Sequence, residues 1–315
     1  MTVDHRLELP ALDGSNPLAF LAALGVLVSL APEPALNLRL SWRRAARVTP
    51  TIHAASPLDA ETLCGLLAHT PAAAPPLVAQ HDVLDITCEE FRGCASDLII
   101  KRLRTDLDVL AAFGADADGD SGRIARTQFC FTSGSGHQKF LENARVLTAR
   151  ADERKFREAL FMPWSRTDQK YSMRWDPADD RRYAYLAADP STLCKDGTVW
   201  MANLLAYRAL TLFPCVPDSR SASKSHGASG PRDAQTVAWS SEDGRREPFF
   251  AWPIWEPPAA LDAIRSLLQM ADISDSAAAP ELRRRGITGV FCSRRLRVGS
   301  GANFKLNFAP ARALW

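Results

Sequence analysis

Residues Ser133-Gly134-Ser135-Gly136 form a small-residue bend between the apolar run Phe129-Cys130-Phe131 and the segment His137-Gln138-Lys139-Phe140. A strand that feeds such a bend into a helix offers an anion free backbone N–H groups and the positive end of the helix dipole, with room at glycine for a phosphate to approach. Lys139 adds a point charge there, and His137 adds a group able to move a proton beside a phosphodiester. The glycine spacing is neither that of a Walker loop nor that of a dinucleotide fingerprint. A plain serine-capped turn has the same composition.

The second candidate lies at the C-terminal end. Eight Lys and Arg residues stand against one acid between Glu281 and Trp315. In Cys292–Val298 the two-residue period of a strand puts Arg295 and Arg297 on one face and Arg294 with Leu296 on the other. Gly299-Ser300-Gly301 then turns the chain back toward Phe304 and Lys305. A twisted hairpin of this kind can follow a sugar–phosphate backbone and gain affinity by releasing counterions. Charges on an edge strand also block aggregation, the simpler role. The candidate contacts are Ser133, Gly134, Ser135, Gly136, His137 and Lys139 in the first segment, with Arg294, Arg295, Arg297 and Lys305 in the second.

Other motifs carry less. Trp164, Trp175, Trp239, Trp252, Trp255, Phe249 and Phe250 could stack on bases if exposed, but such clusters belong more often to a core. Asp116, Asp118 and Asp120 mimic the start of a calcium loop, yet Ser121 and Thr127 replace its glycine and closing glutamate. The six histidines form no HxH, HxxxH or HExxH spacing and no GxSxG elbow is present. The seven cysteines are scattered without a CxxC pair, which fits reduced thiols and gives no local zinc spacing. No metal and no cofactor is expected.

These residues need elements to position them. Asn16 and Pro17 are a good cap and first residue for a helix running through Val28, and Gly25 inside it implies a close neighbour. Leu36–Trp42 alternates as a strand. Helices are expected at 57–69, 89–113, 137–150, 153–161, 197–213 and 259–271. Strands are expected at 6–9, 127–132, within 236–255, and at 289–298 and 302–308. The Ser/Gly-rich stretch 218–233 reads as a mobile loop. The irregular alternation indicates an α+β fold of mixed helices and short antiparallel sheets with a C-terminal basic hairpin. It divides either into two regions, 1–125 and 126–315, or not at all.

The chain has 315 residues, a formal charge of +2 and 46% hydrophobic residues, the profile of an ordinary globular protein. The near-neutral sum excludes a uniformly basic protein but not a local basic face. The longest apolar stretch, 17–31, falls short of the roughly 20 residues that cross a bilayer. Asp4, Glu8 and Asp13 do not suit a secretory leader, so a cytoplasmic protein is expected.

With these segments in view, the chain resembles CRISPR-associated proteins of type I-G (formerly I-U) systems. The resemblance is carried by the opening 9–27 with Gly14-Ser15-Asn16-Pro17-Leu18, by Phe131–Phe140, by Arg174-Trp175-Asp176-Pro177, by Leu212-Phe213-Pro214 and by Ser293–Arg297. It implies either a large-subunit-like component or the accessory family found as an extension of the helicase–nuclease. The implied function is a non-catalytic nucleic-acid-binding subunit of an antiviral effector complex. Its partners would be guide RNA, target DNA and other subunits, with base pairing supplying sequence specificity. The alternative is a metal-independent endoribonuclease that processes guide RNA through His137. A structural adaptor for an acidic protein subunit is a third reading.

Overall fold

Asn16 opens the first helix as its type dictates. Its side-chain carbonyl accepts hydrogen bonds from the backbone N–H of Leu18 at 2.9 Å and Ala19 at 3.3 Å, satisfying donors that the helix leaves unpaired. The computed structural model describes residues 4–71, 73–116, 122–131, 139–178, 197–216, 233–241, 248–270, 273–298 and 305–315. In chain order, β1 (His5–Glu8) and α1 (Pro17–Ser29) precede a hairpin of β2 (Arg39–Arg44) and β3 (Val48–Ala54). A helical stretch follows: α2 (Ala60–His69), α3 (Pro76–Gln80), α4 (Cys88–Ile100) and α5 (Arg104–Phe113). After the two-residue ladder of β4 (Gly114–Ala115) with β5 (Ala125–Arg126) come α6 (Phe140–Ala149) and α7 (Glu153–Phe161). A ladder of β6 (Asp168–Gln169) with β7 (Gly197–Thr198) leads into α8 (Trp200–Ala209). The rest is mainly sheet: β8 (Cys215–Val216), β9 (Gln235–Thr236), β10 (Trp239–Ser241), β11 (Pro248–Trp255) and β12 (Ala259–Ala260). Helices α9 (Leu261–Leu268) and α10 (Ala279–Arg284) then precede β13 (Ile287–Val298), β14 (Lys305–Phe308) and β15 (Arg312–Ala313).

Two antiparallel sheets organise the molecule, in the orders β1-β3-β2-β12 and β10-β11-β13-β14, with β15 also on β13. The fold is α+β. The first sheet takes its last strand from residues 259–260, and one apolar core runs from Leu9 to Phe308. Residue 125 therefore marks no break in packing. Between the sheets lies an aromatic layer: Phe20 meets Trp42, Phe250, Trp252 and Trp255 with ring centroids 5.6 to 6.4 Å apart. Offset and edge contacts of this kind add to the burial of large rings. Of the aromatics considered for base stacking, Trp175, Trp239, Trp252, Trp255, Phe249 and Phe250 are core residues.

Helix α1 is buried on nearly every side, so it is a central helix rather than a surface one. It lies against α8, and Gly25 is where they touch: a Cβ on Gly25 would sit 1.9 Å from the Leu205 carbonyl oxygen. Arg208 of α8 is 7% exposed, and burial lowers its pKa to about 10, which leaves it cationic at neutral pH. Its guanidinium donates to Ser29 Oγ at 3.2 Å and to the carbonyls of Leu67 and Thr70, each at 3.3 Å. These acceptors lie at the C-terminal ends of α1 and α2, where the helix dipoles favour a cation. One buried arginine thus ties three helices together.

The structure departs from the sequence expectations at two places in the middle of the chain. The stretch 89–113 is two helices, because the chain turns at Arg102, whose φ is +57°. Residues 127–131 are not a strand: Cys130 N–H bonds to Thr127 O at 3.0 Å and Phe131 N–H to Phe129 O at 2.9 Å, folding the chain tightly. Phe129 and Phe131 are both buried, Phe129 against Trp175, Phe213, Trp239 and Phe250. Packing of those rings, not ladder pairing, fixes this segment. The expected loop at 218–233 falls almost wholly outside the described residues.

Candidate nucleic-acid interface

The N-terminus of α1 forms one wall of a cleft of about 460 Å³. Its chemistry is built by a joint between segments far apart in sequence. Asp176, 2% exposed, accepts Asn16 Nδ2–H at 3.0 Å, Arg166 Nε–H at 2.8 Å and the Ala178 N–H at 3.0 Å. Asn16 thus caps α1 with its oxygen and holds Asp176 with its nitrogen. Gly14 seats this corner, since a Cβ there would meet Trp42 and Val48 at 2.7 to 2.8 Å, and its carbonyl accepts Trp252 Nε1–H at 2.7 Å. Next to Asp176, Trp175 is wholly buried and donates to the Phe129 carbonyl at 3.0 Å. The opening segment and Arg174-Trp175-Asp176-Pro177 therefore meet at one place.

The loop leading to Asp176 is strained. Arg166, Lys170, Tyr171 and Arg174 all have φ between +52° and +65°, a region costing a non-glycine residue about 1–2 kcal/mol. Many contacts hold it. Asp168 accepts Lys155 Nζ at 2.8 Å and the Trp200 N–H at 2.9 Å, and the Met173 N–H bonds to Asn203 Oδ1 at 2.9 Å. Arg150 lies over the rings of Tyr171 and Trp200, at 4.8 and 4.3 Å. Backbone strain maintained by so many contacts is characteristic of functional sites. Here it places Arg166 in the cleft wall, 5.6 Å from the ring of partly exposed Trp164. Arg47 enters from the β2–β3 turn, 3.4 Å from Asp13.

A second cleft of about 220 Å³ shares Pro310 with the first. It is lined by Arg294 and Arg312. The register explains why they meet: Arg312 of β15 pairs with Cys292 of β13, and Arg294 is two residues on, hence on the same face. Arginines from four segments, Arg47, Arg166, Arg294 and Arg312, thus line two clefts that share Pro310, with the indole of Trp164 in the larger.

The predicted contacts are distributed differently. Ser133, Gly134, Ser135, Gly136 and His137 lie outside the described residues. Lys139 is held by two carboxylates, Asp82 at 2.7 Å and Glu142 at 3.4 Å. Arg295 turns inward: 12% exposed, it pairs with Asp233, donates to the Gln128 carbonyl at 3.3 Å and lies over Trp239. Arg294 and Arg295 therefore face apart, and only Arg294 enters a cleft. The basic hairpin itself is present, with Arg297 opposite Leu306 and Val298 opposite Lys305. The side chains of Arg297 and Lys305 are outside the description. Arg47, Arg166 and Arg312 were missed as site residues. Arg312 belongs to the C-terminal basic stretch already counted, whereas Arg47 and Arg166 lie in no segment singled out from the sequence.

A further constellation was not anticipated. His53 Nδ1 lies 2.9 Å from Asp4 Oδ2, and Nε2 lies 2.8 Å from Ser41 Oγ. Because a carboxylate only accepts, Nδ1–H is the donor to Asp4, and the Ser41 hydroxyl, which can donate or accept, meets Nε2. The order of groups is that of an acyl-transfer triad. Ser41 and His53 are 8% and 4% exposed, however, and line neither cleft. A nucleophile must reach its substrate, so this is a structural relay joining the N-terminal segment to β2 and β3. The His53 hydrogen bond is the main reason Asp4 titrates below the usual carboxylate range. A depressed carboxylate adds stability above its unfolded pKa and loses it as pH falls through the folded one. Thermal melts should therefore decline below about pH 4, and Asp4→Asn should make that decline shallower. An unchanged acid limb would refute the assignment.

Among the described residues no cluster of His, Cys, Asp and Glu could hold a metal ion, and no helix is long and apolar enough to cross a membrane. In comparisons with known proteins, no family model and no curated sequence matches the chain.

Proposed function

We propose that this chain is a non-catalytic nucleic-acid-binding subunit that grips a sugar–phosphate backbone at the two clefts that share Pro310. The assembly would be an RNA-guided antiviral effector of the type I-G CRISPR kind that the sequence resembles, acting in the cytoplasm. One observation carries the reading: Arg47, Arg166, Arg294 and Arg312, from four segments of the chain, line two clefts that share Pro310. Guanidinium groups suit phosphate oxygens by their planar fork, and Trp164 offers a ring on which a base can stack. Positions that contact only backbone carry no sequence information, which agrees with a complex in which the guide reads sequence. The expected contacts are Arg294 and Arg312 in the smaller cleft and Arg47 and Arg166 in the larger.

The test is fluorescence anisotropy with labelled single-stranded RNA and DNA. Alanine at both Arg294 and Arg312 should weaken binding about tenfold near 0.1 M salt. Alanine at Arg43, which pairs with Glu8 at 3.1 Å and lines neither cleft, should change it less than about twofold. Equal losses in both variants would mean that net charge, not the clefts, governs binding.

A further inference from the structure

The corner between α4 and α5 exposes apolar side chains that the fold does not cover. Ile99 is 60%, Ile100 77% and Leu103 44% exposed; among the described residues only Met162 and Val216 are comparable large apolar groups. Three such side chains within five residues form a projecting knob, and clustered exposure of this kind marks a binding surface. Cations are interleaved with them: the run is Ile99-Ile100-Lys101-Arg102-Leu103-Arg104, with no acid. Arg104 pairs with Asp108 at 2.9 Å, whereas neither Lys101 nor Arg102 is in an ion pair. Arg102 also occupies the left-handed position after a helix, φ +57°, where glycine is the least costly residue. The fold thus carries both a strained arginine and bare isoleucines at one corner.

We infer that this corner is an apolar wedge that enters the base stack of a nucleic acid while Lys101 and Arg102 hold the flanking phosphates. Branched apolar side chains inserted at a base step, with Lys and Arg on the adjoining backbone, are an established way to unstack it. The charge favours a polyanion, and it opposes a second copy of this chain, whose corner would carry the same cations. The inference rests on the polyanion-binding reading but uses none of the cleft residues. Its place would be a junction where duplex gives way to single strand.

The full chain should be titrated into a forked DNA duplex carrying 2-aminopurine at the junction. Binding should raise its fluorescence about twofold, reporting an unstacked base. Ile99→Ser with Ile100→Ser, both surface changes, should abolish the rise while weakening binding less than about threefold. Arg102→Gly should weaken binding about threefold yet raise the melting temperature by about 2 °C, separating charge from folding. Binding with no rise, or with the same rise in the double serine variant, would overturn the wedge and assign the corner to a protein neighbour. No binding of DNA would overturn the wedge, and no binding of either RNA or DNA would overturn the cleft reading with it.

Discussion

Gly25→Ala is expected to destabilise the protein by about 3 kcal/mol, a fall of roughly 5 °C in melting temperature. The sign runs against helix propensity, which favours alanine by about 1 kcal/mol in an exposed helix. What decides it is the crossing of α1 with α8: the new methyl would lie 1.9 Å from the Leu205 oxygen and 2.4 Å from its carbonyl carbon. Backbone cannot rotate aside as a side chain can, so the helices must part. Parting them also disturbs the bonds from Arg208 to the ends of α1 and α2. Differential scanning fluorimetry checks the result, and an increase in melting temperature would mean that the two helices do not touch there.

Asp176→Ala should cost about 3 kcal/mol, at the low end for breaking a buried pair because Arg166 keeps some access to water. It should also weaken nucleic-acid binding, since Arg166 is oriented in the cleft by that carboxylate. Asn16 Nδ2 loses its acceptor in the same step. Asp176→Asn keeps the shape and at least one acceptor, so it should recover part of the stability and little of the Arg166 alignment. Chemical denaturation and anisotropy together read both effects. Unchanged binding in a folded Asp176→Ala protein would detach the loop from the interface.

Local chemistry made much of the fold legible. The cap at Asn16, the proline at the first helical position and the close neighbour at Gly25 are all consequences of residue type. Alternation marked a strand at Leu36–Trp42, which the structure places at 39–44, with 34–36 a short 3-10 turn ahead of it. The break at Arg102 was hidden because an arginine stands where glycine normally marks a helix end. The turn at 127–131 was hidden because its alternating phenylalanines are buried on both sides, which only tertiary packing decides. For the site, periodicity correctly divides Arg294 from Arg295. It cannot say which face meets Trp239 and Asp233 and which meets the cleft. Asn16 and Asp176, 160 positions apart, and the relay of Asp4, His53 and Ser41 are products of topology, with no local signature.

The most direct test is the dependence of single-strand affinity on salt. The logarithm of the binding constant should fall linearly with the logarithm of salt concentration, and Arg294→Ala with Arg312→Ala should make the slope shallower by about 1.4, the share of two phosphate contacts. A slope the same in both proteins would contradict the placement of the backbone in these clefts.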